Sequence, residues 1–136
     1  MKKILAAVLL LTSILLFTNT AYSAQKEVLL KTTTTWDNVQ YQKLKIKHPE
    51  VTVLKIHIDV GEQLAMHKHD LVNIAYVNKG TLTVITDKNE QITLTEGEAL
   101  PELVGKYHYG KNTGDVPVEL IVFYIGEEGT PLSVNK

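Results

Sequence analysis

Gly61-Glu62-Gln63-Leu64-Ala65-Met66-His67-Lys68-His69-Asp70-Leu71-Val72-Asn73 holds two histidines separated by one residue, and a third, His108, follows about forty residues later. Successive side chains on a β-strand alternate faces, so His67 and His69 share a face on a strand but diverge on a helix. Their value as a metal signal therefore depends on whether this region is β.

The surrounding sequence reads as strands. Val28 to Leu30 and the run Thr32 to Thr35 favour extended structure, with a turn at Asp37-Asn38 and a break at His48-Pro49. Val51 to Val60 is a long strand whose even positions, among them Leu54, Ile56 and Ile58, are apolar and predict a core face. Its odd positions include Lys55, His57 and Asp59, so His57 points outward. Val72 to Val77 and Thr81 to Thr86 are strands joined across Asn78-Lys79-Gly80, and Asp87 to Glu90 is a hairpin turn. Gln91 to Thr95 alternates, and Lys106 to Lys111 is a short strand bearing His108. Val118 to Ile125 is apolar on both faces apart from Glu119, which predicts a central strand or one covered by a partner chain. The tail from Gly126 is expected on the surface. No helical periodicity follows the first twenty-odd residues, and short strands with frequent turns predict an all-β sandwich or barrel.

Composition removes several functions. A chain of 136 residues with 44% hydrophobic and 21% charged content fits one ordinary globular domain. It has no cysteine, which excludes disulfides, thiol nucleophiles and thiolate zinc sites. All fourteen cationic residues are lysine, so bidentate guanidinium grips on phosphate or carboxylate are absent. A formal net charge of −1 speaks against a nucleic-acid partner. At the N-terminus, Met1-Lys2-Lys3, the apolar run Ile4 to Phe17 and the small polar segment ending Ala21-Tyr22-Ser23 follow the plan of a secretory signal peptide. The apolar run is too short for an ordinary bilayer span, and the rival reading is an uncleaved membrane anchor. Residues 1–23 are thus expected to be a signal peptide cleaved before Ala24, leaving residues 24–136 as one exported domain, periplasmic or secreted, without a membrane partner.

The spacing of glycines and histidines resembles the cupin superfamily. Its first motif matches at Gly61, His67, His69 and Gly80, with Asn73 where the family carries glutamate. Its second matches at Gly97, Gly105, His108 and Asn112, with Leu103 in place of proline. The similarity covers about residues 51–126, and the flanks resemble small exported bacterial cupins with no settled activity. It implies a double-stranded β-helix, or jelly-roll barrel, with inward histidines, and one divalent metal bound by His67, His69 and His108. The residue parity agrees, since His67, His69, Asn73, Ala75 and Val77 would share a face on an unbroken strand.

The family's usual fourth ligand is an anion. Asn73 would be a weak neutral fourth ligand or simply a polar cavity group. Three imidazoles without a carboxylate favour zinc, iron(II), nickel or copper over magnesium, manganese or calcium. They also leave charge on the ion to acidify bound water or attract an anion. Glu102 shares the parity of His108 and is the candidate acid or base; Asp70 and Lys68 are expected to point away. Three functional readings stay open: a metal-dependent enzyme acting on a small molecule, a non-catalytic module binding a small molecule or the metal, and a barrel serving homodimerisation. The histidines as polar core filler are the structural alternative.

Overall fold

A computed structural model describes residues 24–136; residues 1–23, expected from the sequence to be a signal peptide, lie outside the described residues. The strands are β1 (Pro49–Ile58), β2 (His67–Lys68), β3 (Val72–Lys79), β4 (Thr81–Thr86), β5 (Gln91–Thr95), β6 (Ala99–Pro101), β7 (His108–Asn112), β8 (Val118–Glu127) and β9 (Val134–Asn135). They form two antiparallel sheets, one ordered β1-β8-β3-β6 and the other β5-β4-β7-β2-β9. The fold is all-β, and among the described residues there is no helix.

Both sheets turn apolar faces to a shared core. Ile58, Ala75, Val77, Leu100, Val118, Leu120 and Val122 come from the first sheet, and Leu82, Val84 and Leu94 from the second. β1 faces inward at Leu54, Ile56 and Ile58, as its even positions predict, and β8 lies between β1 and β3. The central position of β8 explains its apolar inner residues, while Phe123 and Ile125 on its outer face remain 47% and 38% exposed. Gly80, between β3 and β4, has φ +88°, and a Cβ there would sit 3.0 Å from the Pro117 carbonyl oxygen. Only glycine combines that backbone conformation with so close an approach.

Two expectations need correction. Val28 to Leu30 and Thr32 to Thr35 do not form a strand. Val28 is 75% exposed, and the threonine run makes a single bridge, Thr34 to Gln40, around the predicted Asp37-Asn38 turn. β propensity there finds no sheet edge to pair with; instead the segment hydrogen-bonds to β6 through Trp36 N–H and the Pro101 carbonyl at 2.9 Å, and it seats the indole against the core. The chain does not run straight from His69 to Val77 either: β2 and β3 belong to different sheets, and the backbone turns between them at Asp70-Leu71. The tail lies on the surface, as expected, and within it β9 extends the second sheet beside β2.

Candidate metal centre

Antiparallel pairing of β2 with β7 sets His67 directly opposite His108. Directly opposed residues on one face have Cβ atoms about 4.5–5.5 Å apart, so two histidines distant in sequence become neighbours. His69 follows β2 and is fixed by its own backbone, whose carbonyl accepts a 2.7 Å hydrogen bond from Gly105 N–H. Gly105 reaches that bond with φ +71°, a conformation that side chains resist. The three ring centroids lie 4.8, 4.9 and 5.1 Å apart. One nitrogen from each ring falls within 4.8 Å of the others, a grouping that can hold a metal ion.

The orientation of the rings is also set by the backbone. His67 Nδ1 donates to the Ala65 carbonyl at 2.8 Å, His69 Nδ1 to the Leu132 carbonyl at 2.6 Å, and His108 Nδ1 to the Lys106 carbonyl at 2.9 Å. A carbonyl only accepts, so each Nδ1 must carry the hydrogen, and in the neutral ring the Nε2 lone pair is left free. Metal-ligating histidines use such partners to fix tautomer and aim. Two of the carbonyls lie two residues before their own histidine. Leu132 comes from the tail, which is tied down by β9 and by Lys136 N–H bonding to the Met66 carbonyl at 3.0 Å.

Glu102 completes the cluster from the opposite sheet. Its Oε2 lies 3.1 Å from His108 Nε2 and 3.3 Å from His69 Nε2. Burial alone would raise its pKa, but hydrogen bonds and charge from His108 and His69 outweigh burial and hold the carboxyl well below the usual carboxylate range. Burial likewise disfavours charge on His69, yet the Glu102 carboxylate wins and raises its pKa. His67, further from balancing charge, is lowered by burial. Tyr124, whose ring lies 5.7 Å from that of His69, is pushed up to about 12 by burial and by Glu102, so its phenol stays protonated. For Oε2 to accept from both Nε2 atoms, two adjacent imidazoles would each need a second proton. A divalent cation satisfies the same atoms without those protons, so this donor set fits such an ion.

Apolar side chains close the space around these groups. Ile56, Leu64, Leu82, Val84, Leu120 and Val122 line a cavity of about 40 Å³ together with the histidines, Glu102 and Tyr124. That volume falls far below the several hundred Å³ of drug-sized sites.

His67, His69, Glu102 and His108 are thus brought together, although the parity that placed Glu102 beside His108 skipped over the Gly105 turn. Glu102 and His108 in fact approach from opposite sheets. Asn73 faces the interior of β3 and is fully buried, with neither side-chain polar atom hydrogen-bonded. Lys68 and Asp70 pair with each other at 2.9 Å and are turned away from the cluster. His57 is exposed beside Asp59, as its strand position predicts. The Leu132 contribution escaped the sequence reading because it is a backbone group, and no residue type signals a carbonyl.

Comparison with known proteins agrees with this fold. A family model described as a cupin domain matches residues 54–124. Among solved structures, a protein of Bacillus halodurans aligns with TM-score 0.53 at 24% identity, covering 62% of this chain and 68% of that one. The polyketide cyclase RemF from Streptomyces resistomycificus aligns with TM-score 0.53 at 17% identity, over 62% of this chain and 59% of its own. The DMSP lyase DddQ from Ruegeria pomeroyi gives 0.55 at 19% identity, over 63% of this chain and 43% of its own. At such identities the likeness is one of fold. No curated protein matches the chain.

Proposed function

The chain belongs to the cupin family, and from that premise we propose that it is an exported protein which binds one divalent transition metal through His67, His69 and His108 and presents it to a small molecule. The observation that carries this reading is the shared tautomer. Three backbone carbonyls each take an Nδ1–H, which leaves three Nε2 lone pairs for one ion. A polar core filler has no need of three rings held alike. When bound, zinc, iron(II) or nickel would supply Lewis acidity and an acidified water. The chain's own contribution is orientation and dryness: carbonyls aim the rings, and the apolar walls exclude bulk water. The small cavity favours a group of a few heavy atoms beside the ion, either a small molecule or the tip of a larger one. Elemental analysis of the mature protein, purified without a tag and reconstituted with zinc or iron(II), tests the proposal. One equivalent of metal is expected, and its absence defeats the reading.

A second reading, homodimerisation, is favoured by the outer face of the β1–β8 pair. Val51 opposes Ile125 and Val53 opposes Phe123, and all four are exposed. Two apolar rungs on adjacent strands form a patch that a second copy would cover symmetrically. Sedimentation velocity of the wild type and of Phe123→Lys tests this, with a dimer expected only for the wild type.

A further inference from the structure

We propose that Glu102 is the fourth protein ligand of the metal, supplying from the residue just after β6 the carboxylate that the first motif lacks at Asn73. The proposal rests on the metal reading above and extends it to a residue outside the motif's ligand positions. Two observations carry it. The first is the distance set. Donors held about 2.0–2.2 Å from one ion, at angles between a right angle and tetrahedral, lie about 2.8–3.6 Å from each other. Glu102 Oε2 stands 3.1 Å from His108 Nε2 and 3.3 Å from His69 Nε2. Charge-assisted N–H···O bonds are shorter, at about 2.7–2.9 Å. Both separations therefore fall within the edge lengths of a coordination polyhedron, so one ion could take the place of the protons between these atoms.

The second observation is register. Ile74 on β3 pairs with Pro101 on β6, and at the next rung Glu102 N–H donates to the Asn73 carbonyl at 3.2 Å. Both side chains are buried. Residues facing each other across antiparallel strands can deliver a group to the same region. A glutamate at 102 thus reaches into space beside that open to a glutamate at 73. The carboxylate has moved sideways by one strand while its target stays in place. Pro101 and the Trp36 hydrogen bond to its carbonyl at 2.9 Å hold the backbone that presents it.

Zinc affinity, measured by competition with a chromophoric chelator, and the cobalt(II) absorption spectrum test the assignment in the mature protein. Glu102→Gln keeps the size and removes the anion. Zinc is expected to bind at least about tenfold more weakly, the minimum seen even for lost supporting groups, and the cobalt bands are expected to shift. Unchanged affinity and spectrum in Glu102→Gln, alongside lost binding in His67→Ala, would remove Glu102 from the ligand set and leave the three-histidine reading standing. No binding by the wild type would overturn both. If Glu102→Gln does not fold, a crystal structure of the zinc-loaded wild type decides: a Glu102 oxygen about 2.0–2.2 Å from zinc supports the assignment, and one beyond 3 Å refutes it.

Discussion

The two ends of the barrel interior are built by opposite rules from the same strands. At one end, Tyr124 on β8 lies across from Asn73 on β3, while His108 on β7 opposes both His67 and Thr86. Two residues further along, the same strands offer Val122, Ala75, Gly110 and Val84, and beyond them Leu120, Val77, Leu82 and one buried amide, Asn112, which donates to the Ile58 and Val116 carbonyls and accepts from Gly114 N–H. Period-two alternation keeps the inward face constant, so a strand can pass from chemistry to packing in a single step. Apart from that one amide, the apolar end is packed by non-directional burial and tolerates shape-conserving exchange. The polar end depends on individual hydrogen bonds and fixed distances, where changes of one atom matter.

That contrast is broken most directly at His108. His108→Ala should abolish stoichiometric zinc binding, because two imidazoles remain and the Glu102 carboxylate loses its nearer partner. The loss should exceed about a hundredfold in affinity, more than the loss of a supporting group brings. Chelator competition measures it. Tight residual binding would mean that the ion is held elsewhere.

The matching change at the other end is Leu94→Ala. Leu94 lies opposite Leu82 and is buried in the apolar core, and truncation there should cost about 2–5 kcal/mol by chemical denaturation. The folded fraction should still bind zinc with wild-type affinity. A loss of affinity would show that the two ends are mechanically coupled and that the division is false.

How much of this was legible in the sequence follows the same line. The apolar end could be read because alternation at Leu54-Ile56-Ile58 and at Leu82-Val84 is a pattern of residue types. The histidines were legible as a motif, and the glycines around them as turns. What pattern could not supply was the change of sheet between His69 and Val72. Parity presumes a straight strand, and it placed Asn73 and the histidines on one face of one sheet. They actually belong to facing sheets. Nor could spacing reveal that the Leu132 carbonyl would orient His69, or that Glu102 would lie across a strand pair from Asn73. These are tertiary meetings of backbone and of distant residues. The threonine run fails for a related reason: propensity describes a residue's fitness for a sheet, not whether an edge is there to receive it.

Asn73 offers a smaller and sharper test. Its amide is buried without a hydrogen-bond partner, a condition that costs about 1–3 kcal/mol. If Glu102 has taken over as the anionic ligand, Asn73→Leu should leave zinc affinity unchanged and stabilise the apoprotein by up to that amount in denaturant titration. A fall in affinity would instead make the Asn73 amide part of the metal's surroundings and draw the polar end one residue wider.

The finest discrimination comes from pH in the metal-free protein. Glu102 has a folded pKa below its unfolded value, so its stabilisation is present above the unfolded carboxylate range, near 4.3, and is lost as pH falls through the folded value. His69 has a raised folded pKa, so its stabilisation is complete below the unfolded histidine value, near 6.5, and is lost as pH rises through the folded one. His67 opposes this, because its lowered pKa makes protonation unfavourable and removes stability as pH falls below about 6.5. The Glu102–His69 contribution is therefore isolated by subtraction. The Tm difference between the wild type and His69→Gln, both without metal, should be largest between about pH 4.5 and 6.5 and should shrink at higher pH. Saturating zinc should prevent that alkaline decline in the wild type, since the ion replaces the proton that the pair requires. A difference independent of pH from 5 to 9 would mean that His69 contributes only its shape, which would make the polar end as indifferent to charge as the apolar one.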